Sequence, residues 1–336
     1  MLAGDKMIEI TVILINFIIG SVLIIIGVKT IGGALECASS KLLKKAMRLL
    51  SKNELTSFLA GILLTGLVQS STAVTILTVG FVDSGIMGLE SAVGIIFGAN
   101  IGTTFTAQFM SFNIIQYSRY ILIAGCILGF GPIKKLKVIG DVLIGIGLLF
   151  SGLELMGKSA DIIKGNAFLT EWLQAHADNL FLCLVTGLTV TALVQSSSAT
   201  VGMTIILFNS GLMPFASAVA LTLGDNIGSC IAAQIAGFKS GTAGKRTAWA
   251  HTIYNILGVA LALVTLPQFC TIVQECTRLL GQGSNRLIAN AHTIFNFLSA
   301  ILFLPISKYY VKFLEFIIPE KGRIISIRNV KKAPRR

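Results

Sequence analysis

The chain reads as an all-α polytopic membrane protein built from two inverted-topology repeats, each with a re-entrant helical hairpin and a broken transmembrane helix, plus an extra C-terminal helix. Three observations carry this reading: an apolar composition, an internal duplication, and a charge bias that alternates between equivalent connections. Of 336 residues, 54% are hydrophobic and 12% charged, and the mean hydropathy is +0.83. An ordinary soluble domain does not have that balance. The net charge of +12 does not point to nucleic acid, because the basic residues gather at the edges of apolar segments and not among exposed aromatics. Cys37, Cys126, Cys183, Cys230, Cys270 and Cys276 form no Cys-x-x-Cys pair and mostly lie in apolar runs, where a thiol behaves as a small hydrophobe. With three histidines and no His-Glu-x-x-His, metal catalysis lacks its ligands.

A window of about 20 residues, the length that crosses a bilayer, finds apolar segments near 8–35, 55–81, 85–110, 117–133, 138–157, 180–208, 211–237, 247–268 and 287–305. The first, apolar over 8–28 and glycine-rich from Lys29 to Leu35, is read as a retained helix without a cleavable leader. The order hides a repeat. At an offset of 126, residues 61–108 align with 187–234 without a gap and agree at 21 of 48 positions. The alignment joins Leu67-Val-Gln-Ser-Ser-Thr-Ala73 to Leu193-Val-Gln-Ser-Ser-Ser-Ala199, and Gly98-Ala-Asn-Ile-Gly102 to Gly224-Asp-Asn-Ile-Gly228. Ala107-Gln108 and Ala233-Gln234 close the match, and a fainter echo links Gly27–Gly32 with Gly152–Gly157. The units are therefore placed at 1–137 and 138–270, an extra C-terminal helix at 271–318, and a basic tail at 319–336.

Charge orients the halves. The connection 36–54 carries Lys41, Lys44, Lys45, Arg48 and Lys52, whereas its counterpart 158–178 carries Lys158 and Lys164 against three acids. The next pair reverses the bias, with Arg119 after the first asparagine phrase and Lys239, Lys245 and Arg246 after the second. Lys and Arg favour the cytoplasmic side, so equivalent connections are expected on opposite faces. That assignment makes 55–81 and 180–208 hairpins that enter and leave on one side, since a single crossing would put Lys134, Lys135 and Lys137 outside. Half-helices of about 11 residues rise roughly 16 Å, about half of a 30 Å hydrocarbon core, so the tips are expected at mid-membrane. The phrases at 98–102 and 224–228 are read as breaks in the helices 85–110 and 211–237, because paired glycines and an asparagine favour leaving the helix. The N-terminus is expected outside, the C-terminus in the cytoplasm, and the whole chain in the cytoplasmic membrane.

Lipid cannot hydrogen-bond a hydroxyl or an amide, so polar clusters inside apolar segments are expected to face protein, water or ligand. Hydroxyls, N–H groups at half-helix N-termini and side-chain amides can bind an oxyanion through many donors, while their oxygens suit a hard cation such as Na⁺. Neither half is read as holding a membrane-centred Arg or Lys, so an anion carried here is expected to travel with cations. A lone Ser-Ser pair is most often helix-contact glue; a duplicated quartet with an attached Gln and a matching Asn phrase is not. For Asn100 and Asn226 the plain alternative is a capped helix break. Asp225, which stands where the first half has Ala99, is a cation candidate or a cap. Asp83, Glu90 and Glu154, near segment ends, read as solvated charge.

Paired Gln-Ser-Ser-Ser/Thr motifs, each followed by Gly-x-Asn-Ile-Gly, resemble the type II sodium–phosphate cotransporter family over about residues 8–305. The resemblance implies Na⁺-coupled movement of inorganic phosphate by alternating access, with no enzymatic step. On that reading phosphate is expected at Ser70, Ser71, Ser196, Ser197, Asn100, Asn226, Thr103, Thr104 and Ser229, and co-transported sodium at Gln69, Thr72, Gln195, Ser198 and Asp225. The partners are phosphate, sodium and the lipid bilayer, with a homo-oligomer compatible with all three. The bacterial branch often carries a soluble phosphate-regulator-like helical domain, which this chain is expected to lack. The family's His-x-x-(Phe/Tyr)-Asn pattern appears at His251-Thr-Ile-Tyr-Asn255 behind Arg246 and again at His292-Thr-Ile-Phe-Asn296. Because the first unit has no such element, both copies are expected to be supporting structure outside the two-fold relation. Rival readings are a carrier of another small oxyanion or a dicarboxylate and, from other classes, a membrane sensor that moves nothing or an intramembrane enzyme acting on a phosphorylated lipid. The segment Gly281-Gln-Gly-Ser-Asn285 lacks the Lys-Ser/Thr of a phosphate loop and reads as a plain connection.

Overall fold

The computed structural model describes residues 3–39 and 53–320, and every regular element among them is helical. The basic connection with Lys41, Lys44, Lys45, Arg48 and Lys52, and the tail 321–336, lie outside the described residues. Helix α1, Ala3–Ala38, does not stop before its glycines. It contains an apolar span of 32 residues, Met7–Ala38, whose most apolar 18-residue stretch has mean hydropathy 2.7, and the span exceeds the roughly 20 residues a bilayer needs. Ile18, Ile19, Val22 and Ile26 on its outer face are exposed.

Each half then forms the same three helices. In the first these are α2 (Glu54–Val68), α3 (Ser71–Asp83) and α4 (Leu89–Met110). A capping box between Asn53 and Thr56 starts α2 and satisfies two backbone donors that the first turn would leave unpaired. Gly94 of α4 lies against the Glu54 carbonyl, Gly98 against that of Phe58 and Gly102 against that of Ile62. The contacts climb both helices together, so α2 and α4 run parallel. Helix α3, which joins them, must carry the chain back, and α2 and α3 form a hairpin.

After α5 (Ser118–Gly129) and α6 (Lys134–Gly165) comes α7 (Ala167–Ala177), a helix where a loop was expected. It meets the next helix at 103° and exposes Phe168 and Trp172, the aromatic character of a helix lying at a membrane interface. The second half repeats the plan in α8 (Leu180–Val194), α9 (Ser197–Asn209) and α10 (Phe215–Gly228). Here Gly224 and Gly228 lie against the carbonyls of Leu184 and Leu188, again in parallel. The fold-back is direct in this hairpin: the Thr191 and Thr200 hydroxyls are 2.7 Å apart, whereas nine residues of straight helix would separate them by about 13 Å.

The two asparagine phrases do not break their helices as expected. Helix α4 runs 22 residues without interruption. In the second half a single residue, Ser229, separates α10 from α11 (Cys230–Phe238) at φ −63°, ψ −21°, and Phe215–Phe238 remains one 24-residue span. The glycines serve approach, not unwinding: a Cβ on Gly98 would stand 2.0 Å from the Phe58 oxygen, and one on Gly224 1.9 Å from that of Leu184.

Helices α1 and α6 cross through mutually fitted glycines. Gly20 meets Gly152, and Gly27 meets Gly145. An offset of 125 exchanges these two contacts, as a self-complementary two-fold contact requires. After α12 (Thr242–Val264), within the second unit, the C-terminal part is more than the one helix expected: it holds α13 (Leu266–Leu279), α14 (Leu287–Phe303), a 3₁₀ turn at Leu304–Ile306 and α15 (Ser307–Ile317).

Candidate functional site

The repeated Gln-Ser-Ser phrases form the hairpin tips, and their backbones are alike. Gln69 and Gln195 sit in the left-handed region at φ 57° and 55°, the two non-glycine residues with positive φ among those described. An L-residue there carries roughly 1–2 kcal/mol of steric penalty. Strain of this kind concentrates where surrounding structure holds a functional residue in place. Each Gln amide turns back on its own helix, Gln69 donating to the Gly66 carbonyl and Gln195 to that of Ala192. Gln69 Oε1 also accepts from Thr106, at 2.7 Å. The next residue caps the second arm: Ser70 Oγ accepts from Ala73 N at 3.2 Å, and Ser196 Oγ from Ala199 N at 3.3 Å. Each capping hydroxyl keeps its own proton to donate, and each arm aims the first N–H groups of a helix at the tip.

The two tips face one cavity of about 220 Å³. Gln69, Ser70, Ser71 and Thr72 line it from the first half, Gln195, Ser196, Ser197 and Ser198 from the second, and Thr103 from α4. Ile25, Val28 and Lys29 close it from α1. A second, much smaller cavity of about 10 Å³ lies among Ser71, Asn100, Thr103, Ser197, Asp225, Asn226, Ser229 and His292, roughly the space of one water. The expected division of ligands therefore does not follow the geometry. Gln69, Thr72, Gln195 and Ser198 share the large cavity with the capping serines, whereas Asn100, Asn226 and Ser229 gather beside Asp225. Ser71, Ser197 and Thr103 border both. Thr104 lines neither: it is buried and donates to the Ile101 carbonyl at 2.8 Å.

Asp225 is fully buried. Its Oδ1 accepts from Thr191 Oγ1 at 2.9 Å, and Thr191 in turn contacts Thr200 at 2.7 Å. Thr191 has a single proton, so when it donates to the carboxyl it accepts from Thr200. Asp225 Oδ2 has no partner among the described residues. The corresponding positions of the first half are Thr65, Val74 and Ala99, so this polar group belongs to one half alone.

The His-x-x-(Phe/Tyr)-Asn elements, expected to be supporting structure, contact equivalent glutamines of the two halves. Gln108 donates to Thr293 on α14 at 2.8 Å, and its repeat partner Gln234 to Thr252 on α12 at 2.5 Å. Asn255 and Asn296 each donate at 2.9 Å to the carbonyl of the histidine four residues earlier. The symmetry then stops. His251 Nε2 lies 3.2 Å from Asn100 Oδ1, an oxygen that can only accept, and Asn100 Nδ2 donates to Asn255 Oδ1 at 3.1 Å. Asn226 instead donates to its own helix at Thr222, leaving Asn296 Oδ1 without a partner. Sequence reasoning missed this latch because α12, which carries His251 and Asn255, lies beyond the aligned residues 187–234. Lys29, which opens the glycine-rich stretch of the first apolar segment, lies within α1 with an exposed side chain and lines the cavity.

These features define a class: a multi-pass, all-helical membrane protein with a small polar site held between the tips of two folded-back helix pairs. The chain belongs to the Na⁺/Pi-cotransporter family, whose model matches residues 23–158 and 163–281. It is 31% identical over 292 residues to the uncharacterized protein YqeW of Bacillus subtilis (strain 168), covering 86% of this chain and 92% of that one. YjbB of Escherichia coli (strain K12), whose name proposes inorganic phosphate export for it, is 28% identical over 270 residues. That match covers 80% of this chain and 49% of YjbB, so the chain spans about half of that relative. Sodium-dependent phosphate transport protein 2A of Ovis aries is 32% identical over 171 residues, 46% of this chain and 26% of the relative. No solved structure matches the chain significantly.

Proposed function

We propose that this protein is a secondary transporter that moves inorganic phosphate, coupled to Na⁺, across the cytoplasmic membrane by alternating access. The observation that carries the reading is the single cavity lined by both Gln-Ser-Ser tips. Family membership and the phosphate in the names of YjbB and the Ovis aries protein support the substrate. Phosphate binds in the large cavity through the hydroxyls of Ser70, Ser71, Ser196 and Ser197 and the N–H groups that open α3 and α9. Backbone and hydroxyl donors suit a tetrahedral oxyanion because they surround it from both sides. Sodium takes the small cavity, where Asp225 Oδ2 and the side-chain oxygens of Asn100, Asn226, Ser71, Ser197 and Ser229 offer the hard oxygen ligands an alkali cation prefers. Asp225 then gains the counter-charge that a buried carboxylate otherwise lacks. Further sodium ligation is assigned to Gln69, Thr72, Gln195 and Ser198 at the rim of the phosphate cavity.

The two units are taken as inverted repeats, with the N-terminus outside and the C-terminus in the cytoplasm. Hairpins that enter from opposite faces let one half rock against the other and expose the shared cavity to each side in turn. A carrier of this kind runs in whichever direction its gradients drive. The test is uptake of radiolabelled phosphate into proteoliposomes with Na⁺, K⁺ and H⁺ gradients imposed separately. Uptake that rises with a Na⁺ gradient alone is expected; equal uptake under all three gradients from active protein contradicts the coupling.

A further inference from the structure

Lys29 is the one basic residue in the apolar span Met7–Ala38. An ionisable side chain inside a membrane segment is rare and marks a functional site by default. Among the described residues Lys29 makes no hydrogen bond and no ion pair, although other basic side chains on the protein do: Arg119 and Lys158 share Glu154, and Arg278 binds Glu275. Its side chain is exposed, and packing fixes the helix that carries it. Gly32, one turn further along α1, lies against the backbone of the first hairpin tip, where a Cβ would stand 2.5 Å from the Val68 oxygen and 3.5 Å from Gln69 Cβ. That contact brings α1 onto the tip. Ile25, Val28, Lys29 and Gly32 share one helix face at spacings of three and four, and the first three line the 220 Å³ cavity.

An ammonium on the wall of this cavity meets no carboxylate there: the eight tip residues and Thr103 are neutral, the remaining lining side chains, Ile25, Val28, Val68 and Val194, are apolar, and Asp225 belongs to the smaller cavity. We infer that Lys29 is an anion-binding residue, its ammonium donating to an oxygen of the phosphate held between the tips. The inference rests on the transport reading above and deepens it. It also alters the charge balance of the site, because a fixed cation offsets part of the anion before any sodium binds. The chemistry is that of a phosphate oxygen, which a lipid headgroup also offers, so the test includes vesicles with and without anionic lipid.

The experiment compares wild type with Lys29→Gln and Lys29→Arg in proteoliposomes of phosphatidylcholine, measuring initial phosphate uptake against phosphate concentration. Lys29→Gln is expected to raise the phosphate KM about tenfold or more, the scale of one charge-assisted hydrogen bond, with little change in maximal rate; Lys29→Arg stays near wild type. Should Lys29→Gln fail to insert, Lys29→Cys in a chain with Cys37, Cys126 and Cys276 replaced by Ser, treated with an aminoethyl or a sulfonatoethyl thiosulfonate, separates charge from structure: only the cationic adduct should recover affinity. An unchanged KM in Lys29→Gln, recovery by both adducts, or an effect that appears only with phosphatidylglycerol in the vesicles overturns the assignment. Wild type that carries no phosphate at all overturns the transport reading itself, a separate result.

Discussion

Gln69 and Gln195 hold a left-handed backbone that glycine would adopt without penalty, so the side chain and not the turn explains the choice of residue. Each glutamine closes the carbonyl end of one half-helix while the following serine caps the N-terminus of the next. The pair makes a turn whose remaining donors point at a shared cavity. Asp225 is the residue at which the halves differ most. Its Oδ1 accepts from Thr191, and its Oδ2 has no partner among the described residues. Replacing Asp225 by Ala is expected to raise the Na⁺ concentration for half-maximal uptake about tenfold, roughly 1.4 kcal/mol, with a smaller change in phosphate KM. Sodium activation curves on reconstituted protein check this, and a selective rise in phosphate KM would place Asp225 with the anion instead. Sequence alone singled out Gln69, Gln195 and Asp225 because duplication and charge are visible in a linear chain. Thr191 and Thr200 were invisible, since only the fold-back brings residues nine apart within 2.7 Å.

At the scale of elements, the hairpins were legible and the helix breaks were not. A polar phrase in an apolar segment with the wrong charge on the connection that follows demands a reversal, and α2–α3 and α8–α9 supply it. Gly-x-Asn-Ile-Gly, in contrast, has two physical solutions: glycine loosens a helix, or it admits a neighbour's backbone. Which one holds depends on a helix about forty residues away in sequence. The carbonyls of Phe58 and Leu184 decide it. Gly98→Ala and Gly224→Ala should therefore separate the first hairpin arms from α4 and α10 and destabilise the protein by about 1–3 kcal/mol, as overpacking does. Gly80→Ala, where a Cβ meets nothing within 4 Å, should be neutral or stabilise by up to roughly 1 kcal/mol, the usual helix-interior gain. Thermal unfolding in detergent measures all three. Loss of stability in Gly80→Ala equal to that in Gly98→Ala would remove close packing as the explanation.

Over the whole molecule, exchangeable contacts recur at several depths: Gly20 with Gly152 and Gly27 with Gly145, α2 with α4 as α8 with α10, Gln108 with Thr293 as Gln234 with Thr252. Against that background the departures stand out. The Asn100–His251–Asn255 latch is made, whereas Asn226 turns to its own helix and leaves Asn296 Oδ1 unpartnered. The same three helices recur over the aligned residues 61–108 and 187–234, but the contribution of α14 was not legible, because a segment outside the alignment supplies the second copy of the histidine element. The central claim is that two halves build one phosphate site. Equilibrium binding of radiolabelled phosphate to purified protein tests it most directly, comparing wild type with Gln69→Ala/Ser71→Ala and with Gln195→Ala/Ser197→Ala, each checked for folding by its unfolding midpoint. One phosphate per chain in wild type and loss of binding in either double variant is the predicted result; half of the wild-type binding surviving in each would show two independent sites and contradict the account.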